Sequence, residues 1–473
     1  MDHAEAGPRM RSRGQPIVAF ALVAALALGA WWADRNLAVH EEAGPAGGNA
    51  PSGAWFCPHG GGPEWNTTIY VANPGSHPAT VRLTTIGAGR ASEPRVVDIL
   101  PGSSSAIPVD SDGRASSTTV EYFGGWVAAG WVAHAGGAET GVTAEPCTGS
   151  ATTRWLAADG VTLQGFDSYL IVMNPFDARA RLSVTLYAAG APPIRDSGWK
   201  DLSIQGHHAR VFHLNEKRLE EQALGAEVTL SAGRVAVSSL IVAAAGGARA
   251  TLATPGDAPG RAISPSGGDQ GAGELVLFNP ADTASQVSGT LRDRDGPHPL
   301  GGLTDAQVAP GAARTAAVAS DGPRPSATDV SVADGTPGAV IVRRVSGKMG
   351  DPGGSVSATA PASAWVVFPT VGGAPSHPGL FVTNVGEGTA TITLRALDGS
   401  GLTATMRVGP GASAAAPQSF VASVADVPVL VSSDPASIVA AGASSSLGRL
   451  GVSAFAFSLG VAVPVDVVPG GTA

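Results

Sequence analysis

The sequence is poor in lysine, in aromatic residues and in cysteine, and each shortage argues against a class of protein. Lysine occurs only at Lys200, Lys217 and Lys348, and the net charge is −9. The chain therefore lacks the basic footprint of a nucleic-acid-binding protein, and we expect no nucleic-acid partner. Aromatic residues make up only 5% of the chain, but 44% of its residues are hydrophobic, which argues against wholesale disorder.

Catalytic and metal-binding motifs are also missing. We find no Gly-x-Ser-x-Gly elbow, no HExxH helix and no P-loop. His207, His208 and His213 lie close together, but no acidic or cysteine residue accompanies them at metal-ligand spacing. The Asp-rich stretches 110–113 and 293–296 lack the distant glutamate of an EF-hand and are typical of turns. We therefore predict no catalytic residue, no metal site, no cofactor and no enzymatic activity.

The first residues contain the longest hydrophobic run. Arg9, Arg11 and Arg13 precede an uncharged segment over residues 16–33, which as a helix would span about 27 Å of a ~30 Å bilayer core. We predict a cytoplasmic tail over 1–15, a signal anchor over 16–33 and a flexible linker over 34–53. The alternative is a cleaved signal peptide. Either way, the expected location is the cell membrane, single-pass, with the remaining chain extracytoplasmic.

The two cysteines are Cys57 and Cys147, and neither belongs to a CxxC pair. An extracytoplasmic location is oxidising and favours disulfide formation. Cys57 lies at the start of the first repeat described below, and Cys147 lies near its end. The first and last strands of a sandwich can run side by side, so we predict an intramolecular Cys57–Cys147 bond.

Beyond the linker the chain repeats one unit four times. Each copy has an apolar strand that ends on an asparagine, and these asparagines are 101, 105 and 105 residues apart. We call them the pivots. Three of them precede proline: the positions are Asn73-Pro74, Asn174-Pro175, Asn279-Pro280 and Asn384. The predicted repeats cover residues 54–154, 155–262, 263–364 and 365–473.

The Asn-Pro pair is suited to ending a strand. Proline has a fixed φ and no N–H, so it cannot extend a ladder. The asparagine amide can bond to the backbone two residues further on, which closes an Asx-turn. The fourth copy keeps Asn384 but has Val385 in place of proline. We therefore expect the asparagine side chain to matter more than the proline ring.

The repeat length indicates the fold class. About seven short strands in ~100 residues is typical of an immunoglobulin-like β-sandwich, whereas a propeller blade needs only ~40–50 residues. We predict an all-β ectodomain of four tandem immunoglobulin-like sandwiches, arranged like beads or stacked, plus the one N-terminal transmembrane helix. Closure of the repeats into a ring, as in a propeller, is the alternative.

The second copy shows a specific pattern of residues. Trp155 is followed by a turn at Asp159-Gly160, an apolar strand, Asn174-Pro175 and a second strand that contains Ala180 and Val184. This pattern resembles tandem surface repeats of secreted bacterial proteins. With the start at residues 55–58 after an N-terminal anchor, the chain resembles membrane proteins of high-GC Gram-positive bacteria in domain-of-unknown-function family 5719. The resemblance implies no established activity and no catalytic residue.

These observations lead to one predicted function and two alternatives. We predict a membrane-anchored scaffold or binding module of the bacterial cell envelope, whose partners are envelope proteins or cell-wall glycan. One alternative is an envelope glycan-processing hydrolase, which would need a concave site with two facing carboxylates. The other is a ring-closed β-propeller that binds a partner.

Overall fold

The computed structural model describes residues 52–89, 91–111, 113–267, 270–318, 324–347, 352–370, 376–434, 437–447 and 453–467. Nearly all regular structure in these residues is β-strand, which confirms the all-β prediction. One short helix, α1 (Gln418–Ser423), and two 3-10 turns at Ser197–Trp199 and Leu214–Glu216 interrupt the strands. The strands fall into four successive groups, repeats 1 to 4.

Each repeat contains eight equivalent strands. In repeat 1 they are β1 (Gly53–Cys57), β2 (Asn66–Asn73), β3 (Ala79–Ile86), β4 (Arg95–Ile99), β5 (Ser103–Val109), β6 (Ser117–Phe123), β7 (Ala128–His134) and β8 (Val142–Pro146). In repeat 2 they are β9 (Arg154–Gly160), β10 (Phe166–Asn174), β11 (Ala180–Ala188), β12 (Leu202–Ile204), β13 (His208–His213), β14 (Leu224–Ala232), β15 (Ala236–Ala243) and β16 (Ala248–Leu252), followed by the short β17 (Thr254–Pro255).

Repeats 3 and 4 follow the same order with one additional short strand each. Repeat 3 consists of β18 (Arg261–Ser266), β19 (Gln270–Asn279), β20 (Ser285–Asp293), β21 (Gly296–Pro299), β22 (Ala306–Val308), β23 (Ala312–Val318), β24 (Ser326–Val332), β25 (Val340–Gly347) and β26 (Pro352–Val356). Repeat 4 consists of β27 (Ala364–Val367), β28 (Ser376–Asn384), β29 (Ala390–Ala396), β30 (Thr403–Val408), β31 (Ser413–Ala415), β32 (Val429–Asp434), β33 (Ile438–Leu447), β34 (Ser453–Leu459) and β35 (Val461–Ala462).

Every repeat is built from two antiparallel sheets. In repeat 1 the first sheet has the order β1-β6-β3-β4 and the second has the order β5-β2-β7-β8, and the other repeats follow the same plan. The two sheets share a hydrophobic core, as expected of a sandwich. The strand order differs from the immunoglobulin order, in which the first strand pairs with the second. Here the first strand pairs with the sixth.

The strands of the second sheet are apolar on both faces. In β10, Leu170 and Val172 belong to the core of repeat 2, whereas Ile171 between them packs into the core of repeat 1. In β19, Leu275 lies in the core of repeat 3 and Val276 contacts repeat 2. A strand that is buried on both faces reads as a continuous apolar run instead of an alternating pattern. This explains the uninterrupted runs before each pivot.

The repeats close into a ring. The last long strands form a cycle of contacts, in which β8 contacts β16, β16 contacts β26, β26 contacts β34, and β34 contacts β8. The described residues from 52 onward belong to one compact unit. The boundary between repeats 4 and 1 has its own apolar cluster, which includes Tyr70, Val132, Val366 and Phe368. The prediction of a bead-like or stacked array was therefore wrong, and the ring alternative is the arrangement observed.

Three repeats are filled by the same tryptophan, and the third is filled differently. The indole N–H of Trp155 donates to the carbonyl of Val235 at 2.7 Å, and Trp55 and Trp365 make the equivalent bond. The register places Ala262 at this position in repeat 3, opposite Val330. Its missing volume is supplied by Leu300 and Leu303, both fully buried beside Ala262 in the core of repeat 3.

One prediction about the N-terminal part is contradicted. In the described part of the chain, no helix is long and apolar enough to cross a membrane. We therefore withdraw the predicted location in the cell membrane. The predicted tail over 1–15, the anchor over 16–33 and all but the last two residues of the linker over 34–53 lie outside the described residues.

Candidate functional site

Four buried polar residues lie at equivalent positions around the centre of the ring. Each is on the last long strand of its repeat, and each pairs with the equivalent residue of the preceding strand. They are Glu145 on β8, Thr251 on β16, Ser355 on β26 and Ser458 on β34, and none is more than 3% exposed. Buried polar groups need hydrogen-bond partners, so their contacts show which residues hold the centre of the ring together.

Asp159, near the end of β9, accepts hydrogen bonds from three buried side chains, one of which is Thr251. Its carboxylate receives two hydrogen bonds from Arg249, at 2.8 and 3.0 Å, and one from Arg344 Nε at 2.6 Å. Thr251 Oγ1 donates a further bond at 2.9 Å. Arg249 belongs to repeat 2 and Arg344 to repeat 3, so one buried carboxylate joins two repeats.

The remaining N–H donors of Arg344 also bond at the boundary between repeats 2 and 3. Nη1 donates to Glu274 Oε1 at 3.0 Å and to the carbonyl of Gln222 at 2.9 Å, and Nη2 donates to the carbonyl of Gly160 at 3.0 Å. Burial disfavours the ionised form of Asp159, but the two guanidinium groups outweigh burial and lower the pKa of this carboxyl. Asp159 is therefore held as an ion at neutral pH.

Glu145 joins repeat 1 to repeats 2 and 3. Its Oε2 accepts from Ser355 Oγ at 2.8 Å, and its Oε1 accepts from the backbone N–H of Val356 at 2.9 Å and of Leu252 at 3.4 Å. Ser355 Oγ in turn accepts from the N–H of Leu459 at 2.9 Å, which brings in repeat 4. Burial raises the pKa of Glu145 well above its usual value, although the three donors oppose this shift; the charge of Asp159 adds to it.

The equivalent of Asp159 in repeat 1 is His59, four residues after its tryptophan. The imidazole is completely buried; Nδ1 lies 2.7 Å from the carbonyl of Gly60 and Nε2 lies 3.0 Å from Thr118 Oγ1. Burial lowers the pKa of His59 to about 4, and the bond to Gly60 opposes that shift. Carbonyl oxygen only accepts, so Nδ1 carries the proton of a neutral ring.

A cavity with a volume of about 560 Å³ lies at the boundary between repeats 1 and 2. We call it the open cleft. The turn after β3 (Ile86, Gly87 and Ala88), the segment 113–116 and the strand β13 (Ala209, Arg210 and Val211) form its walls. Its wall is mainly apolar, with Arg210 and Asp110 exposed beside it. A concave apolar site with a few polar groups is the usual form of a binding site.

A stack of planar side chains supports one wall of the open cleft. The guanidinium of Arg114 lies 5.5 Å from the ring centre of Trp65 and 5.0 Å from that of Tyr169, and Tyr169 stacks on His213 at 4.7 Å. Arg114 also donates to Glu139 and to the carbonyl of Gly61. Trp65 belongs to repeat 1 and Tyr169 to repeat 2, so the stack fixes the width of the boundary.

The predicted disulfide is present in the structure. Cys57 and Cys147 are joined, with their Cα atoms 4.6 Å apart, and both are buried. The bond links the first and last strands of repeat 1, next to the bridge between Phe56 and Thr148. Repeat 1 therefore has a covalent connection between the end of β1 and the residue that follows β8.

The pivots make the predicted Asx-turns and additional bonds. Asn174 Oδ1 accepts from the N–H of Phe176, and its Nδ2 donates to the carbonyls of Ala178, Ile204 and Gln205. Asn73, Asn279 and Asn384 each repeat the Asx-turn and the bonds across to the turn before the fifth strand. Pro74, Pro175 and Pro280 follow directly after the strands β2, β10 and β19 have ended. Each pivot thus joins the end of one sheet to the other sheet.

The three neighbouring histidines, for which no metal site was predicted, each contact a different partner. His207 contacts Asp177 at 2.7 Å, His208 contacts the carbonyl of Gly206 at 2.6 Å, and His213 contacts Asp167 at 2.9 Å. The central groups Asp159, Arg249 and Arg344 were not identified from the sequence as a cluster. The available signal was that each is a charged residue inside an apolar strand.

Comparisons with known proteins add little to this geometry. Residues 114–261 match the model of a family of unknown function, DUF5719, in agreement with the resemblance found in the sequence. No curated protein matches the chain. One solved structure, described as a tetra-tandem repeat in the extending region of a large adhesion protein, is 13% identical; the match covers 83% of this chain and 93% of that one, with a TM-score of 0.12. Such a score carries no structural argument.

Proposed function

We propose that the four repeats form a rigid, non-catalytic ring that acts as a scaffold and binds a partner in the open cleft. The closure of the ring around a central network of internal hydrogen bonds is the observation that carries this proposal. Asp159 and Glu145 have protein donors on both carboxylate oxygens and are at most 1% exposed. Their chemistry is used to hold repeats together.

The Cys57–Cys147 bond supports a function in an oxidising compartment such as the cell envelope. The expected partners there are proteins or cell-wall glycan. The open cleft supports binding at this boundary, and contacts between repeats lie at the start of the equivalent edge strand at other boundaries. At the boundary between repeats 2 and 3, the rings of Tyr187 and Phe278 pack at 5.3 Å.

The alternative, a glycan-processing hydrolase, predicts a different result in the same experiment. The purified protein should be incubated with soluble cell-wall glycan fragments and with envelope protein extract, and both binding and new reducing ends should be measured. The proposal expects saturable binding that a bulky residue at Gly87 abolishes, and no new reducing ends. Gly87 is a suitable position because a Cβ there would meet nothing within 4 Å. Glycan cleavage that survives Gly87→Trp and is lost in Asp159→Asn or Glu145→Gln would favour the hydrolase.

A further inference from the structure

The open cleft is lined on one side by a strand edge with free backbone groups. The N–H of Ala209 on β13 points away from its own sheet and donates to the carbonyl of Gly87 at 2.8 Å. Backbone groups of an antiparallel strand alternate in direction, so the N–H and C=O of Val211 point the same way, into the cleft. Among the described residues, no backbone group of repeat 1 bonds to Val211.

A proline in the equivalent strand supports this assignment of direction. In repeat 1 the fifth strand is β5, and Pro108 lies on it two residues after Ala106, the register equivalent of Val211. Proline has no N–H, so it is tolerated on an edge strand only where the N–H would face outward. Ala106, Pro108 and Val211 therefore share an outward-facing backbone.

At other boundaries, contacts between repeats lie at the start of the equivalent edge strand. Ser104 Oγ donates to the carbonyl of Leu397 at 2.6 Å, and Ser413 Oγ donates to the carbonyl of Arg292 at 2.9 Å. Gly311 lies against the ring of Tyr187. At the boundary between repeats 1 and 2, the corresponding turn has only Gly87 and Ala88, whose small size leaves the cleft open.

One unpaired cation lies at the edge of the cleft. The guanidinium of Arg210 lies 5.5 Å from the ring centre of Phe212, and no carboxylate of the described residues forms an ion pair with it. By contrast, Arg114 on the opposite wall is neutralised by Glu139. Asp110 is the acidic group of that wall. Because Arg210 is exposed and beside the free edge, it would meet a side chain of any strand added to β13.

We infer that the open cleft binds an extended peptide segment of a partner protein, which adds as a strand to β13. The backbone of the peptide bonds to Val211, its apolar side chains lie against the wall of the cleft at Ala88 and Ala115, and an acidic side chain lies against Arg210. This inference rests on the proposed function and specifies its partner as a protein segment rather than glycan.

The test uses the full chain and the acetylated, amidated peptides Val-X-Val-X-Val, with X as Asp, Ser or Lys, each carrying a fluorophore. We expect the Asp peptide to bind best and the Lys peptide worst. Methylation of the central peptide nitrogen should weaken binding at least about ten-fold, as expected for the loss of one or two hydrogen bonds. The substitution Val211→Pro should weaken binding equally, since it removes the outward N–H and keeps the ladder to β10.

The matched control is Ala106→Pro, which makes the same change at the equivalent edge position outside the cleft and should leave affinity unchanged. Arg210→Ala should reduce the preference for Asp over Lys. The inference is overturned if no peptide binds, or if Val211→Pro and Ala106→Pro have equal effects. Should glycan fragments bind instead, with loss of binding in Gly87→Trp, the proposed function would stand and the peptide assignment would fail.

Discussion

Repeats 2 and 3 have the same strand order but fill it with different side chains. In repeat 2, Trp155 on β9 occupies the core. Val184 lies in the same row across the sheet, two strands away on β11. In repeat 3 the equivalent positions are Ala262 and Gly289, and Leu300 and Leu303 from the connection after β21 take their place. A Cβ on Gly289 would lie only 3.1 Å from both leucines. The two repeats thus share a backbone and a core volume, but not the residues that supply the volume.

The comparison shows which features of the repeat are required. The tryptophan can be replaced by side chains from elsewhere in the sequence, because a core needs filled volume more than one particular residue. The pivot asparagine is present in both repeats with the same bonds. No hydrophobic group can satisfy several backbone groups at once, so the asparagine has no such substitute.

The largest effect is expected for Trp155→Ala. This change removes a fully buried side chain and its bond to Val235, and should lower the free energy of unfolding by about 4 kcal/mol. Chemical denaturation followed by circular dichroism would measure it. Trp155→Phe is the control, since it keeps much of the volume and loses only the donor. A loss below about 1 kcal/mol would show that repeat 2 is not filled as described.

Leu303→Ala is the corresponding test in repeat 3. Leu303 is fully buried beside Ala262, and its truncation should cost about 3 kcal/mol. The control is Leu402→Ala, because Leu402 is 40% exposed and should cost little. Equal effects of the two substitutions would contradict the replacement of the tryptophan by leucines.

The pivots should behave alike in the two repeats. Asn174→Ala and Asn279→Ala each leave several buried backbone groups without partners, and each should cost about 2 kcal/mol or more. Pro175→Val should cost less, since Val385 occupies that position in repeat 4. A larger loss for Pro175→Val than for Asn174→Ala would mean that the ring of the proline is the important element.

The buried polar residue on the last long strand is ionisable in one repeat and neutral in others. Thr251 and Ser355 are neutral in repeats 2 and 3, whereas repeat 1 has Glu145, whose pKa burial raises. The folded state keeps a proton that the unfolded state loses, so stability should fall with rising pH above ~4.3, by up to about 1.4 kcal/mol per pH unit, until the folded pKa is reached. Glu145→Gln should remove this slope in pH-dependent denaturation. An unchanged slope would contradict the raised pKa.

The smallest effect concerns the neighbouring strand, where repeat 2 has Ser239 and repeat 3 has Arg343. Arg343 is fully buried, and its Nε and Nη2 lack partners among the described residues. Burial lowers its pKa to about 9. Arg343→Met should therefore stabilise the protein by about 1 kcal/mol, because it removes an uncompensated buried charge. Arg344→Met, which breaks the bonds to Asp159, is the matched control and should destabilise.

The repeat, its pivots and the disulfide could be predicted because each leaves a local signal in the sequence. Asn174-Pro175 marks a strand end, and Cys57 and Cys147 flank one repeat. The ring could not be predicted with the same rules, although a signal existed: runs such as Leu170–Met173 are apolar at every position, as strands buried on both faces are. We interpreted them as strands of sandwiches in a bead-like or stacked array, and kept the ring as the alternative.

The central network was missed for a different reason. Asp159 looked like a turn residue, and its partners Arg249 and Arg344 lie 90 and 185 residues further along the chain. The folding of repeat 2 and its packing against repeat 3 bring these groups together. The open cleft was equally hidden, because it depends on the small size of Gly87 and Ala88 at a boundary that a linear array would not form in this way.

Closure of the ring is the central claim, and one distance tests it most directly. Leu100 and Leu402 are exposed, and the nearby turns of repeats 1 and 4 are joined by a bond from the N–H of Gly399 to the carbonyl of Gly102 at 3.3 Å. Donor and acceptor dyes attached at Leu100→Cys and Leu402→Cys, with the native cysteines bonded to each other, should lie within about 25 Å and show almost complete energy transfer. In a linear array the two sites would be on the order of 100 Å apart. Absence of transfer in the folded protein would contradict the ring.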